Sequence, residues 1–509
     1  MWYFASNSIA ALWKLAADMY SGGFDDSQNL SNDKMERDIW YDFSDVESRK
    51  PEISTIVPYN EKNCIKENDM DELCRMTATQ LRIEIQKRNI GIEELTRLYL
   101  ERIEKYDPML NAISEINELA LKQARELDSK KSGRDSILFG LPLLIKDNID
   151  VAGLHTTAGS IALSDNLAEI NATVVENIIH NGGIVLGKTN MTEFANFTTK
   201  DMPNGYSSKG GVVKNAYDLN KDPGGSSTGS AVAVSAGFCS MAVGTDTSFS
   251  IVACATENGI AGLKPQFASL SSYGIIPISR TLDSAGALSK DLTDAILLYS
   301  AMSDKAFAPI QPIPVKELKI CINLYNKDMV SNAQWQRYES LFDVLHSEGS
   351  QFFEITQAYS PHQYSIMQCE FKRDLEYYLS HSSAKLKTLD DIIAFYEANP
   401  QTMMKYGISI LQEAVGKSVD DLIYKEAMAE RARMRSQVIN ELEKYDVCIM
   451  TGPTNVMHFV GLPSLALKLC TGEDDIPKGI IIYGADERRL LAAALTIETY
   501  CSPFSPPKL

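Results

Sequence analysis

Residues 222–265 read DPGGSSTGSAVAVSAGFCSMAVGTDTSFSIVACATENGIAGLKP, a glycine- and serine-rich stretch of polar turns set between buried apolar runs. Gly224, Gly225 and Gly229 bracket Ser226-Ser227, and a run of small and apolar residues from Ser230 to Gly237 follows. The glycines therefore form a turn that feeds a closely packed helix, with Ser226 beside its N-terminus. Met241-Ala242-Val243 is a short apolar strand, after which GTDTSFS places Ser250 on a polar turn before a second buried run, Ile251 to Ala255. Both hydroxyls could face one cleft. Such turns are plain connectors in many α/β domains. A phosphate cradle at the helix start is a further reading, although GGSSTGS lacks the Gly-Lys-Ser/Thr ending of a P-loop.

Upstream, Gly140-Leu141-Pro142-Leu143-Leu144-Ile145 reads as a buried strand that delivers Lys146 at its end. A buried charged lysine is costly, so Lys146 either pairs with a carboxylate, Asp147 or Asp150, or loses its proton. A depressed lysine pKa is what a general base at neutral pH requires.

The stretch resembles the defining segment of the amidase signature family, whose usual form is GGSS-G-S, then GTDT-G-G-S-I, then G-LKP. FGLPLLIKDNIDVAG (139–153), GKTNMTEFANF (187–197) and NAYDLNKDPGGSS (215–227) are similar to further family segments. The resemblance covers roughly residues 76–509, and EFKRDLEYYL (370–379) and TLDDIIAFYEANP (388–400) look most like the peptide amidase branch. It implies an α/β fold: a single large domain (72–509) with a central mixed β-sheet covered by helices on both faces, preceded by an N-terminal extension (1–71). It also implies a Ser-Ser-Lys triad: Ser250 as nucleophile, Ser226 as relay, Lys146 as base. The two serines stand 250 − 226 = 24 residues apart, as in the family. The counterpart of Ser226 follows a cis peptide there, and backbone N–H groups matching Thr247, Ser248, Phe249 and Ser250 form the oxyanion hole. No cofactor is implied.

The sequence departs from the family at that turn. Ser248-Phe249 stands where relatives carry Gly-Gly or Asp-Gly, and Ala253-Cys254 where they usually have proline. If residue 249 needs a positive φ, the aromatic there is strained by about 1–2 kcal/mol. Three functions follow: hydrolysis of a carboxamide, such as a peptide C-terminal amide; acyl transfer to an amine; or binding by a protein with a degraded site.

The bounds fit a soluble enzyme: 509 residues, 44% hydrophobic and 23% charged. A net charge of −18 without a long Lys/Arg cluster argues against nucleic acid and anionic membrane as partners. Nine cysteines without CxxC pairs read as reduced thiols in a cytoplasmic protein, and six scattered histidines without HExxH or HxH spacing argue against a metal site. Trp2 to Tyr20 has an amphipathic pattern broken by Asn7, Lys14 and Asp18, and it reads as a helix packed on its own domain rather than on a membrane. Residues 22–71 read as an acidic arm.

Thr77 with Gln80 forms a capping-box pattern ahead of a helix. A second helix, about Ile92 to Lys105, is expected to stop before Pro108, and a third to cover 113–128. Helices at Ala172–Asn181 and Thr192–Phe197, with a strand from Ile184 to Leu186, continue a βα rhythm. Asp291–Met302 is helical and Leu318–Leu324 a strand. Residues 333–444 read as mostly helical and, by the resemblance, wall a substrate funnel. Tyr445–Thr451, Gly479–Tyr483 and the helix Asp486–Tyr500 close the domain.

Overall fold

The computed structural model describes residues 73–130, 134–303, 308–472 and 474–509. The expected helix at 2–20 and the acidic arm up to residue 71 lie outside them. In chain order the strands are β1 (Ile113–Ile116), β2 (Pro142–Lys146), β3 (Ile184–Thr189), β4 (Tyr206–Ser207), β5 (Gly211–Val212), β6 (Met241–Asp246), β7 (Ala261–Lys264), β8 (Ser284–Ser289), β9 (Lys319–Asn323), β10 (Gln351–Ile355), β11 (Val447–Met450), β12 (Ser464–Thr471) and β13 (Pro477–Tyr483). β4 and β5 make a small ribbon. The others form one eleven-stranded sheet in the order β1-β3-β2-β6-β8-β7-β12-β13-β11-β9-β10.

The sheet is mixed. β2 runs parallel to β3 and β6, and β9 parallel to β10 and β11, with antiparallel pairings between these two groups. Strands that are parallel and covered on both faces need continuous apolar runs. Pro142–Lys146 obeys this: all five residues are buried, the lysine included. Helices cover both faces, as expected for an α/β domain. Thr228–Ser235 packs against β2, β3, β6 and β8, Leu292–Met302 against β6, β7 and β8, and Val252–Asn258 against β7, β12 and β13.

Thr228–Ser235 has all eight residues buried, which explains its small, uniformly non-charged sequence: a helix without a wet face needs no polar stripe. Gly229 is required by close approach, since a Cβ there would meet the carbonyl oxygens of Asn190 at 2.3 Å and Ala112 at 2.4 Å. Among the described residues no helix is long and apolar enough to cross a membrane.

The capping box at Thr77 is formed, with the Gln80 N–H donating to Thr77 Oγ1 at 3.2 Å and the Thr77 N–H to Gln80 Oε1 at 2.9 Å. Three local expectations are corrected. Pro108 lies inside the helix Ile92–Leu110, and the helix ends instead at Asn111, whose left-handed conformation (φ 57) lets its N–H bond to the Asp107 carbonyl. Residues 113–128 split into β1 and a helix, Ala120–Ser129, because Asn117 N–H turns out to the Leu186 carbonyl of β3. Thr192–Phe197 is not a regular helix: Phe194, Ala195 and Asn196 have φ of 44, 54 and 73. Tertiary bonds win there, with the Phe194 N–H on the Ala158 carbonyl and the buried Glu193 carboxylate taking the Ser208 N–H and hydroxyl. The segment 333–444 is mostly helical, as expected, with one strand, β10, parallel to β9.

Candidate active site

β2 ends at Lys146, and the side chain is fully buried. Its Nζ lies 2.8 Å from Ser226 Oγ, 3.0 Å from Ser227 Oγ, 2.8 Å from Thr245 Oγ1 and 3.3 Å from the Thr245 carbonyl. Burial pushes this ammonium down to about 7. The expected alternative, an ion pair with Asp147 or Asp150, is not formed. Asp147 faces Lys188 at 3.5 Å and Lys209 at 3.7 Å, and Asp150 accepts from the Tyr378 hydroxyl at 2.7 Å. Lys146 is left with neutral oxygen partners, which do not hold a proton on it as a carboxylate would.

The Gly225–Ser226 peptide is cis. The turn places Ser226 and Ser227 side by side against Lys146, and the Ser227 hydroxyl also donates to the Thr245 carbonyl at 2.9 Å. The Ser226 turn and the Ser250 turn are joined through the backbone, Ser227 N–H to Ser250 C=O at 3.2 Å. Among the described residues no hydrogen bond links the Ser226 and Ser250 hydroxyls directly. The phosphate-cradle reading falls here, because the N–H groups of Ser227 and Gly229 at the helix start are taken by Ser250 and Asn190.

The turn after β6 carries Thr247, Ser248, Phe249 and Ser250. Three of its four carbonyls are held: Thr247 by Gln363 Nε2 at 3.0 Å, Phe249 by the Ala253 N–H at 2.8 Å, Ser250 by the Ser227 N–H at 3.2 Å. The N–H groups of Ser248, Phe249 and Ser250 donate no hydrogen bond among the described residues, so this backbone offers donors to a ligand. Phe249 has a φ of 71, as the comparison with glycine-bearing relatives anticipated. Its ring is buried against the His458 imidazole, centroids 4.3 Å apart.

Several residues around this turn were not picked out from the sequence. Asp246, at the end of β6, is fully buried and accepts from the Ile251 N–H at 2.7 Å. Burial pushes its carboxyl up, but His458, Lys264 and the Ile251 N–H outweigh that and hold it below its ordinary value. His458 Nδ1 approaches Asp246 Oδ1 to 3.1 Å without hydrogen-bond alignment, and burial pushes the imidazole below its usual value. Asp283 takes the Thr247 hydroxyl at 2.5 Å, and burial pushes its carboxyl up to about 7. Asp246 lay in the quoted motif, but nothing in one sequence pairs it with a histidine 212 residues on (458 − 246 = 212).

Residues 94–458 match the family described as Amidase. The chain is 30% identical to the A subunit of the glutamyl-tRNA(Gln) amidotransferase of Thermoanaerobacter pseudethanolicus, over 84% of this chain and 96% of that one. Among solved structures it resembles an amidase family protein of Bacillus anthracis (29% identity, TM-score 0.81, covering 87% of this chain and 94% of the other). It also resembles the native peptide amidase of Stenotrophomonas maltophilia (29% identity, TM-score 0.78, covering 85% and 98%).

Proposed function

Because this chain belongs to the amidase family, enzymes that hydrolyse C–N bonds, we propose that it cleaves carboxamides through an acyl-enzyme on Ser250, with Ser226 as proton relay and Lys146 as base. The observation that carries this reading is the fully buried Lys146, 2.8 Å from Ser226 Oγ and, among the described residues, without a carboxylate partner within an ion-pair distance. Pushed down to about 7, it is available as a neutral amine near neutral pH.

With substrate bound, Ser250 comes within reach of Ser226 and its hydroxyl proton passes through Ser226 to the Lys146 Nζ lone pair. Ser250 Oγ bonds to the amide carbon, and the carbonyl electron pair moves onto oxygen. The N–H groups of Thr247, Ser248, Phe249 and Ser250 are the proposed donors to that oxyanion. The pair then returns, the C–N bond breaks, and the proton goes back through Ser226 to the leaving nitrogen. Water, deprotonated along the same path, attacks the acyl carbon and releases the acid and Ser250.

The likeness to peptide amidase, with EFKRDLEYYL and TLDDIIAFYEANP in the sequence, favours the C-terminal amide of a peptide as substrate. The catalytic unit is assigned to residues 72–509, with 1–71 as an extension. Free thiols among the described cysteines favour a cytoplasmic setting.

Labelling of Ser250 by a fluorophosphonate, lost in Ser250→Ala together with ammonia release from peptide amides, tests the assignment. Full hydrolysis by Ser250→Ala would overturn it, and absence of labelling would favour a binding protein on this fold. A second reading, acyl transfer to an amine, is favoured by the likeness to the amidotransferase. Product analysis with added amine separates the two: a new amide instead of the acid supports transfer.

A further inference from the structure

We infer that Gln363 is a positioning residue of this site: its carboxamide fixes the Thr247–Ser248 peptide in the orientation that aims the Ser248 N–H at the oxyanion. The inference rests on the reading of Ser250 as nucleophile and of this turn as oxyanion site. Gln363 sits in the first turn of the helix His362–Ser380, is buried, and donates from Nε2 to the Thr247 carbonyl at 3.0 Å. The peptide plane supplies the link. In a trans peptide the C=O of one residue and the N–H of the next point in opposite directions, so whatever holds the Thr247 carbonyl also sets the direction of the Ser248 N–H. Rotation of that plane would bring an acceptor to the place where a donor is needed.

The carbonyls of Phe249 and Ser250 are secured by main-chain N–H groups, those of Ala253 and Ser227. The Thr247 carbonyl depends on a side chain from a segment more than a hundred residues away (363 − 247 = 116). Residue 247 is clamped a second time, through its hydroxyl on Asp283. Gln363 Oε1, by contrast, is buried and has no hydrogen-bond partner among the described residues. An unsatisfied buried acceptor costs stability, so a glutamine at this position is poorly explained by packing alone. Its Nε2 contact with the turn accounts for it.

The test compares Gln363→Met, similar in shape but with no donor, with Gln363→Glu, which donates to the Thr247 carbonyl only when its carboxyl is protonated. Ammonia release from an N-acetylated amino-acid amide is followed across pH, with Ser250→Ala in parallel. Gln363→Met is expected to lower kcat by roughly ten- to a hundredfold with KM within about twofold, as for loss of an oxyanion donor or part of one. The ratio of Gln363→Glu to wild-type kcat is expected to rise as pH falls, a dependence that a merely structural role does not produce. Wild-type kcat in Gln363→Met, or a Glu-to-wild-type ratio flat with pH, overturns the inference. If those results come while Ser250→Ala is dead, the nucleophile assignment stands and the role of Gln363 alone falls. If Ser250→Ala is active, both fall. Should Gln363→Met not fold, the pH dependence of the Glu variant decides.

Discussion

Phe249 brings two opposed effects to one residue. Its φ of 71 costs a bulky side chain about 1–2 kcal/mol. Its ring, however, is buried against His458, and removing a buried phenylalanine costs about 3–5 kcal/mol. The cavity outweighs the relief. Since the backbone already holds the left-handed conformation, glycine has nothing to correct in the direction of the N–H groups. Phe249→Gly is therefore expected to lose about 2–3 kcal/mol in urea unfolding and to be no faster on any amide. A faster, equally stable variant would mean that backbone strain outweighs the buried ring.

Lys146 gives a second test at the same scale. As the proposed base it must be neutral, so kcat/KM should rise with pH through an apparent pKa near 7. Stability follows the same proton. Between about 7 and the ordinary lysine value of about 10.4, the unfolded chain holds a proton that the folded protein lacks. More protons on the unfolded side means that stability rises with pH, by up to about 1.4 kcal/mol per unit from this group. The unfolding free energy of wild type minus that of Lys146→Met should accordingly climb from pH 7.5 to 9.5. A flat difference would mean that Lys146 is buried with its proton.

Among the elements, the buried helix Thr228–Ser235 governs the site, because Ser226 and Ser227 enter it. Gly229→Ala drives a Cβ to within 2.4 Å of two backbone oxygens that belong to other segments and cannot yield cheaply. The helix must shift, so the variant is expected to lose activity on amides along with stability, measured together by turnover and thermal unfolding. This helix and the strands beside it were legible, since small residues after a Gly-Ser turn and unbroken apolar runs each have one plausible use. Lys146 was legible as a charge at the end of such a run, with an ion pair and a lost proton both open to it. The turn at Glu193–Asn196 was not, because its left-handed residues are stabilised by Ala158 and Ser208, distant in sequence. β12 went unread although Leu465, Leu467 and Leu469 alternate with Ser464, Ala466 and Lys468 in the pattern of a strand. Gln363 and His458 could not be found by pattern at all: each is a lone polar residue whose role exists only once distant segments meet.

For the whole molecule, the described domain begins near residue 73 with a helix, Ala78–Lys87, packed on the helix Leu292–Met302, the Ala78 N–H held by Asp294. Deleting residues 2–21 should leave a single cooperative thermal transition and unchanged turnover. Loss of cooperativity would place that segment in the core.

The strand order has a consequence for how the protein is made. Six strands from residues 113–289 form one side of the sheet and the last five strands the other, so the part bearing Lys146, Ser226 and Ser250 can assemble while the rest is still on the ribosome. Its open margin is β7, whose partner β12 lies 466 − 262 = 204 residues further on at the Gly262–Ala466 pairing. At about 5–20 residues per second, that margin stays unpaired for roughly 10–40 s of synthesis. β7 is short and glycine-containing, Ala261-Gly262-Leu263-Lys264, a poor template for foreign strands during the wait. His458 and Gln363 emerge only within that interval, so Ser250 meets the crowded exit of the ribosome before the side chains that pack on its turn exist.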